Sequence, residues 1–384
     1  MLKLKLTTKH LMQFVGVWRM ALLIPILIGC VFFAYRSGYN YTNILMQQNP
    51  DFLQSFAYAW GNFDGVHYIE IARHGYTDQA RFLPFFPILI RLISYILFFI
   101  HDELARFYSA GLLLSNLATI VLVWILYRLV HLDFKQEIAK KTVFFLLLFP
   151  TSFFFGAVYT ESIFLLLVVG SLFSARKQMW FTASVLASLA CVIRVVGIAL
   201  ISAFVVEMFI QYKDKITWKQ IVNLAIIPLP LIAYAIFNLY KWHDALYFIH
   251  AHTLLANGRS ASFIFIPQTI VRYVKIFVSV PPVQYEWWIA MLEFSMFFYA
   301  VWGLWYARKM KVRLSYLVFS TCAFLIPTFS GTFTGLPRYA LVLFPMFIAL
   351  AHVENRLVKT AVLAIHIVLL SILTLLFSRG YYVG

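Results

Sequence analysis

Pro84-Phe85-Phe86-Pro87-Ile88-Leu89-Ile90-Arg91-Leu92-Ile93-Ser94-Tyr95-Ile96-Leu97-Phe98-Phe99-Ile100 decides the fold, according to whether it crosses a bilayer or lies on it. The segment is apolar enough for a span, which needs about 17–25 residues. Counted as a span, it puts Lys135, Lys140 and Lys141 on the same side as the loop that precedes it. Counted as a helix on the membrane surface, it leaves one consistent charge pattern. The intracellular connections then hold Lys3, Lys5, Lys9 and Arg19, then Arg128, Lys135, Lys140 and Lys141, then Arg176 and Lys177. Further along they hold Lys213, Lys215 and Lys219, the group Arg308, Lys309, Lys311 and Arg313, and finally Arg356 and Lys359. These 19 basic residues meet only four acids, Asp133, Glu137, Asp214 and Glu354, whereas the other 12 meet 11. Lys and Arg in short loops set orientation, so 84–100 is expected on the surface. Pro84 and Pro87 suit a first helical turn, where a missing N–H costs little.

Outward from that segment, about eleven apolar runs read as spans: 20–36, 105–128, 142–158, 161–175, 179–193, 195–212, 218–240, 286–306, 314–329, 338–353 and 358–377. Two long segments of mixed polarity, 37–104 and 241–285, separate them and are expected on the extracytoplasmic side with the C-terminus. Composition agrees. Of 384 residues 62% are hydrophobic and 12% charged, and the mean hydropathy is +0.84. Soluble domains run at about 45–50% apolar and about 25% charged. The expectation is an all-α integral membrane protein forming a single domain over 1–384. A net charge of +16 raises the question of nucleic acid, but the basic residues fall in tufts between apolar runs and not on one exposed face. Cys30, Cys191 and Cys322 all lie in apolar stretches, which leaves no disulfide framework. The first run lacks a small-residue cleavage site and reads as a retained helix.

The first loop carries Trp60-Gly61-Asn62-Phe63-Asp64-Gly65-Val66-His67-Tyr68-Ile69-Glu70-Ile71-Ala72-Arg73-His74-Gly75-Tyr76. Asp64 precedes a helical stretch, so it reads either as an N-cap or as a general base near the membrane surface. His67, Glu70 and His74 share one helix face. That set suits zinc or manganese, or else forms a solvated polar stripe.

Pro150-Thr151-Ser152-Phe153-Phe154-Phe155-Gly156-Ala157-Val158-Tyr159-Thr160-Glu161-Ser162 lies at a junction of two runs, on the same side as Asp64. Glu161 there is a site candidate or only a first-turn acid favoured by the helix dipole. Arg194 interrupts two apolar runs with no acid nearby in sequence, and an arginine at membrane depth marks a functional site by default. Its guanidinium matches phosphate geometry. Arg338, in Gly335-Leu336-Pro337-Arg338-Tyr339, is a similar case, with snorkelling to the interface as the alternative. No phosphate-cradling glycine loop, HExxH, GxSxG or dinucleotide fingerprint is present, which argues against nucleotide-sugar donors and ATP-driven transport.

Taken in order, these residues resemble the PIG-V family, GPI mannosyltransferase II and its prokaryotic relatives. Asp64, Ile71-Ala72 and Gly75-Tyr76 match the family's Trp-Asp, Ile-Ala and Gly-Tyr motif, with Phe63 in place of the usual Trp. Pro84 and Pro87 stand where the family has a proline pair in an aromatic run. The stretch from Pro150 to Ser162 is similar to its Pro, Tyr, Ser/Thr, Glu, Ser segment. Arg194 and Gly197 match Arg-x-x-Gly, with Val196 where Asn is common, and Pro337-Arg338-Tyr339 matches the closing Pro-Arg-Tyr. His243-Asp244 with Phe248 resembles the start of the second large loop.

The resemblance implies a GT-C-type polytopic bundle of about 11 transmembrane helices, with amphipathic surface helices in the first extracytoplasmic loop. It implies an inverting hexosyltransferase, related to GPI-anchor biosynthesis, that moves mannose or a related hexose from a polyprenyl- or dolichyl-phosphate donor. The acceptor would be a glycolipid or glycan, with no cofactor and no nucleic acid. By the same analogy Asp64 is the catalytic base and Arg194 and Arg338 bind the donor phosphate, while His67, Tyr159, Glu161, Asp244 and Tyr339 bind substrate. The membrane would be the plasma membrane in a prokaryote or the endoplasmic reticulum in a eukaryote; the short chain points to the former. A transporter or flippase of a lipid-linked glycan also needs many helices and intramembrane arginines, but more often shows internal repeats and midplane broken helices.

Overall fold

The computed structural model describes residues 2–36, 45, 50–213, 215–255, 260 and 262–384, which form helices and connecting turns with no strand among them. Parts of both long loops and Asp214 lie outside these residues. Six of the eleven apolar runs are met, among the described residues, by helical stretches long and apolar enough to cross a membrane: Lys9–Phe32, Glu103–His131, Val195–Tyr212, Trp218–Trp242, Tyr285–Lys309 and Arg356–Ser378. The chain is an integral membrane protein. It packs as two compact units, one of Met1–Val169 with Val353–Val383 and one of Gly170–His352 with Gly384.

In the first unit, helix Phe85–Ile96 carries the segment on which the topology turns. Its 12 residues rise about 18 Å at 1.5 Å each, well short of the roughly 30 Å of a hydrocarbon core. Pro84 takes the N-cap position, Pro87 lies in the first turn, and Phe86, Pro87, Ile90 and Ser94 are buried. The opposite face exposes Ile88, Leu92, Tyr95 and Ile96. One face thus meets protein and the other is apolar and uncovered. Arg91 fixes its neighbour by donating to the carbonyls of Ala72 at 2.6 Å and Arg73 at 2.8 Å, at the end of helix Asp64–His74. Those carbonyls have no partner within their own helix.

The first span begins earlier than the apolar run at 20–36, because helix Leu2–Ala21 already carries Lys9 and Arg19. Arg19 lies 3.9 Å over the ring of Trp60, a cation–π contact that offsets part of the cost of a cation at that depth. The expected span at 142–158 is not one helix. Helix Gln136–Leu147 ends, and a 3₁₀ turn, Ser152–Gly156, follows. Pro150 supplies no N–H, and Ser152 and Thr119 hydroxyls take the carbonyls of Leu147 and Phe155 instead. Phe153, Phe154 and Phe155 are fully buried by this fold-back.

In the second unit, the expected span at 338–353 is likewise broken into Leu336–Tyr339, Ala340–Val342 and Phe344–Ala351. Pro337 and Pro345 each begin a helix anew. Glu207 is 1% exposed inside this unit. Arg313 donates to it twice, at 2.8 and 2.7 Å, and Ser315 and Gln211 each donate at 2.6 Å. A buried carboxylate is tolerated when it is paired and bonded in this way, and the cluster pins Val195–Tyr212 to Leu314–Thr328.

Candidate active site

Asp64 is the first residue of helix Asp64–His74, and Phe63, not Asp64, occupies the N-cap position. Asp64 instead stands in the first turn, where the helix dipole favours a carboxylate. The turn before it is unusual. Phe63 has φ 59° and ψ −118°, which a residue with a side chain seldom adopts. Tyr159, 2% exposed, reaches this turn from the folded-back segment. Its hydroxyl donates to the carbonyl of Asn62 at 3.0 Å and accepts from the N–H of Asp64 at 3.3 Å. Val158 N–H donates to the carbonyl of Trp60 at 3.0 Å, so the two motifs quoted from sequence lie side by side in one unit.

Asp64 is half-buried, one helical turn from His67. The imidazole of His67 stacks on Phe82 at 4.8 Å. Burial pushes its pKa below the ordinary histidine value, and the charge of Asp64 opposes that shift. Glu70 instead turns to Arg73 at 2.8 Å and lies 3.9 Å from His74. Among the described residues no group of three His, Cys, Asp or Glu side chains could hold a metal ion, so His67, Glu70 and His74 do not form the metal site that their spacing allowed. His67 belongs to an aromatic stack, while the other two belong to an ion-pair cluster. Glu161 is 1% exposed and opens helix Glu161–Arg176 as a first-turn acid.

In the second unit, Arg194 takes an extended conformation between helix Trp180–Cys191 and the 3₁₀ turn Val195–Ala199. The turn presses against the helix end so closely that a Cβ on Gly197 would fall 2.7 Å from the Ala190 carbonyl carbon and the Cys191 nitrogen. Both are backbone atoms that cannot move aside, so the glycine of Arg-x-x-Gly is a steric requirement of this bend. The guanidinium of Arg194 stands 4.8 Å from the centre of the Tyr339 ring, and that of Arg338 stands 5.4 Å from it. One aromatic ring thus gathers both cations predicted to bind phosphate.

Glu293 holds the segment that carries them. It is 4% exposed, accepts the N–H of Gly335 at 3.2 Å and takes the Tyr273 hydroxyl at 2.6 Å. Tyr273 also accepts the N–H of Phe333 at 3.1 Å. Gly335, at φ 79°, caps the short helix that bears Pro337, Arg338 and Tyr339. Asp244 lies elsewhere in the unit, paired with His250 Nδ1 at 2.6 Å and accepting the Leu246 N–H at 2.9 Å. The His250 hydrogen bond, with that N–H, holds its carboxyl below the usual carboxylate range.

Sequence reasoning missed Glu293, Tyr273 and Asn62. Glu293 did carry a signal, as an acid inside the apolar run 286–306, since intramembrane acids mark functional sites by default. Tyr273 carried none.

The family model for mannosyltransferase (PIG-V) matches residues 9–248. No curated protein matches the chain. Among solved structures it is similar to the apo form of the Archaeoglobus fulgidus oligosaccharyltransferase, at 13% identity and a TM-score of 0.47 over 96% of this chain and 56% of that one. It is also similar to apo ArnT from Cupriavidus metallidurans, at 14% identity and a TM-score of 0.47 over 93% of this chain and 63% of that one. A third likeness is to the archaeal oligosaccharyltransferase AglB from Archaeoglobus fulgidus in complex with an inhibitory peptide and a dolichol-phosphate. There the identity is 13% and the TM-score 0.41, over 96% of this chain and 56% of that one. The chain thus spans less than two thirds of the length of each.

Proposed function

Because the chain belongs to the mannosyltransferase (PIG-V) family, we propose that it is an inverting transferase of mannose or a related hexose from a polyprenyl- or dolichyl-phosphate donor. The acceptor is the hydroxyl of a glycolipid or glycan at the extracytoplasmic face. The observation that carries this reading is the pair Arg194 and Arg338, far apart in sequence yet gathered on the ring of Tyr339. Two guanidinium groups gathered on one ring suit a phosphate whose negative charge grows as a bond breaks.

In the proposed step the acceptor oxygen attacks the anomeric carbon and gives its proton to the Asp64 carboxylate. The bond from that carbon to the phosphate oxygen breaks, and the carrier leaves as polyprenyl phosphate with the electron pair. Asp64 serves as base from its place at the helix start, and Arg194 and Arg338 receive the leaving charge. No metal or cofactor enters the scheme. His67, Tyr159, Glu161, Asp244 and Tyr339 are proposed to shape the substrate sites. For Tyr159 that shaping is indirect, since its hydroxyl serves the backbone of residues 62 and 64.

The direct test offers labelled polyprenyl-phosphate-mannose and a panel of acceptors to purified protein in lipid, and measures product mass. A mannosylated acceptor and free polyprenyl phosphate are expected. Protein that moves lipid-linked sugar across vesicles but transfers none over a broad panel would sink the enzyme reading in favour of a flippase.

The sidedness has its own test. In a chain with Cys30, Cys191 and Cys322 replaced, single cysteines at the exposed positions Lys135 and Lys309 should resist a membrane-impermeant thiol reagent in intact cells. A cysteine at the exposed position Asp78 should react. Reaction at both Lys135 and Asp78 would make 84–100 a span, whereas reaction at Lys135 but not at Asp78 would reverse the side proposed for Asp64.

A further inference from the structure

Asn62 is 1% exposed, although it is polar and sits in a turn. Its side-chain nitrogen donates to the carbonyls of Phe377 at 2.8 Å and Ser378 at 3.3 Å. These lie in the last turn of helix Arg356–Ser378, where carbonyls lack their regular partners. Its side-chain oxygen accepts the Tyr35 hydroxyl at 3.3 Å, and its backbone carbonyl accepts the Tyr159 hydroxyl at 3.0 Å. One residue thus joins four parts of the first unit. The next residue is Phe63, with its positive φ, and its ring packs against Phe377 at 5.8 Å and edge-on to Tyr382 at 6.0 Å. The residue after that is Asp64.

A strained backbone persists only where its surroundings over-determine it, and such strain gathers at functional sites. We propose that Asn62 is a positioning residue: its amide, anchored on the end of helix Arg356–Ser378, holds the strained Phe63 turn and so aims the Asp64 carboxylate at the acceptor hydroxyl. This rests on the reading of Asp64 as base. The bland role for Asn62 is a cap for the helix end, which would affect stability and leave the chemistry alone. The two differ over Phe63. If Asn62 serves to hold strain, relief of the strain should make it less necessary. If it only caps a helix, relief of the strain should change nothing.

The experiment uses the full chain in detergent and lipid, with turnover read as polyprenyl phosphate released from polyprenyl-phosphate-mannose in the presence of a working acceptor. Asn62→Ala should lower kcat by about 10²-fold, the scale of a small misplacement of a reacting group, with the KM for donor within about threefold. Tyr35→Phe removes one hydrogen bond and keeps the ring. It should lower kcat by about three- to tenfold, and it decides the matter if Asn62→Ala does not insert. Phe63→Gly adopts positive φ without strain. Added to Asn62→Ala, it should bring kcat back to within about threefold of the Phe63→Gly single variant.

Wild-type turnover in Tyr35→Phe and in Asn62→Ala, with Asp64→Asn inactive, would overturn the positioning role and leave the base standing. An Asn62→Ala defect that Phe63→Gly does not relieve would also overturn it, in favour of the helix cap. Full turnover in Asp64→Asn would remove the base reading itself, whatever Asn62 does.

Discussion

Asp64→Asn is expected to lower sugar transfer by about 10²-fold or more, the usual scale for loss of a general base, in protein that folds and inserts normally. The substitution keeps the size of the side chain. It also keeps the backbone N–H of residue 64, which bonds the Tyr159 hydroxyl at 3.3 Å. Asp64 stands in the first turn of its helix, where a carboxylate contributes about 0.3–1 kcal/mol through the helix dipole. The change that matters is the loss of a proton acceptor. The measurement pairs the initial transfer rate with the thermal midpoint in the same detergent. Near-normal turnover would end the assignment. A large fall in the midpoint would mean that the carboxylate serves the fold.

At Arg194 the expected result is a split between turnover and binding. Arg194→Lys keeps a positive charge but loses the planar guanidinium, with its two-pronged hydrogen bonding to phosphate and its fit to the Tyr339 face, 4.8 Å away. Charge on the leaving phosphate is greatest in the transition state, and only contacts that strengthen there raise turnover. The kcat for transfer should therefore fall about tenfold or more while donor affinity changes by a smaller factor. Arg194→Gln should harm both, with kcat down by about 10²-fold, comparable to removal of one oxyanion donor. Donor binding is measured separately, by displacement of a labelled donor at equilibrium. Equal losses in kcat and affinity for Arg194→Lys would mean that Arg194 holds the ground-state donor only.

Much of the protein was legible without coordinates. Composition alone required lipid-facing helices, since 12% charge over 384 residues cannot clothe a soluble surface. Six of the eleven expected spans are met by helical stretches long and apolar enough to cross a membrane. Periodicity and length are local properties, and local properties are what a window of sequence reports. The residue types needed for the proposed chemistry were equally visible. Arg194 and Arg338 stand in apolar surroundings where a charge asks for a reason, and Asp64 stands out by its place in the first-loop motif.

What the tertiary structure alone decided concerns partners. The runs at 142–158 and 338–353 look like spans, yet they break, because Thr119 and Ser152 capture carbonyls in one and Pro337 and Pro345 restart helices in the other. The shared helix face of His67, Glu70 and His74 allowed a metal site or a polar stripe, but Phe82 takes the first ring and Arg73 takes the carboxylate. The Asn62 amide donates to the carbonyls of Phe377 and Ser378, and Glu293 accepts from Gly335 and Tyr273, partners far away in sequence. A side chain's hydrogen-bonding capacity is written in its residue type. Which distant carbonyl or hydroxyl satisfies it depends on how the chain returns, and no periodicity in the intervening residues records that return.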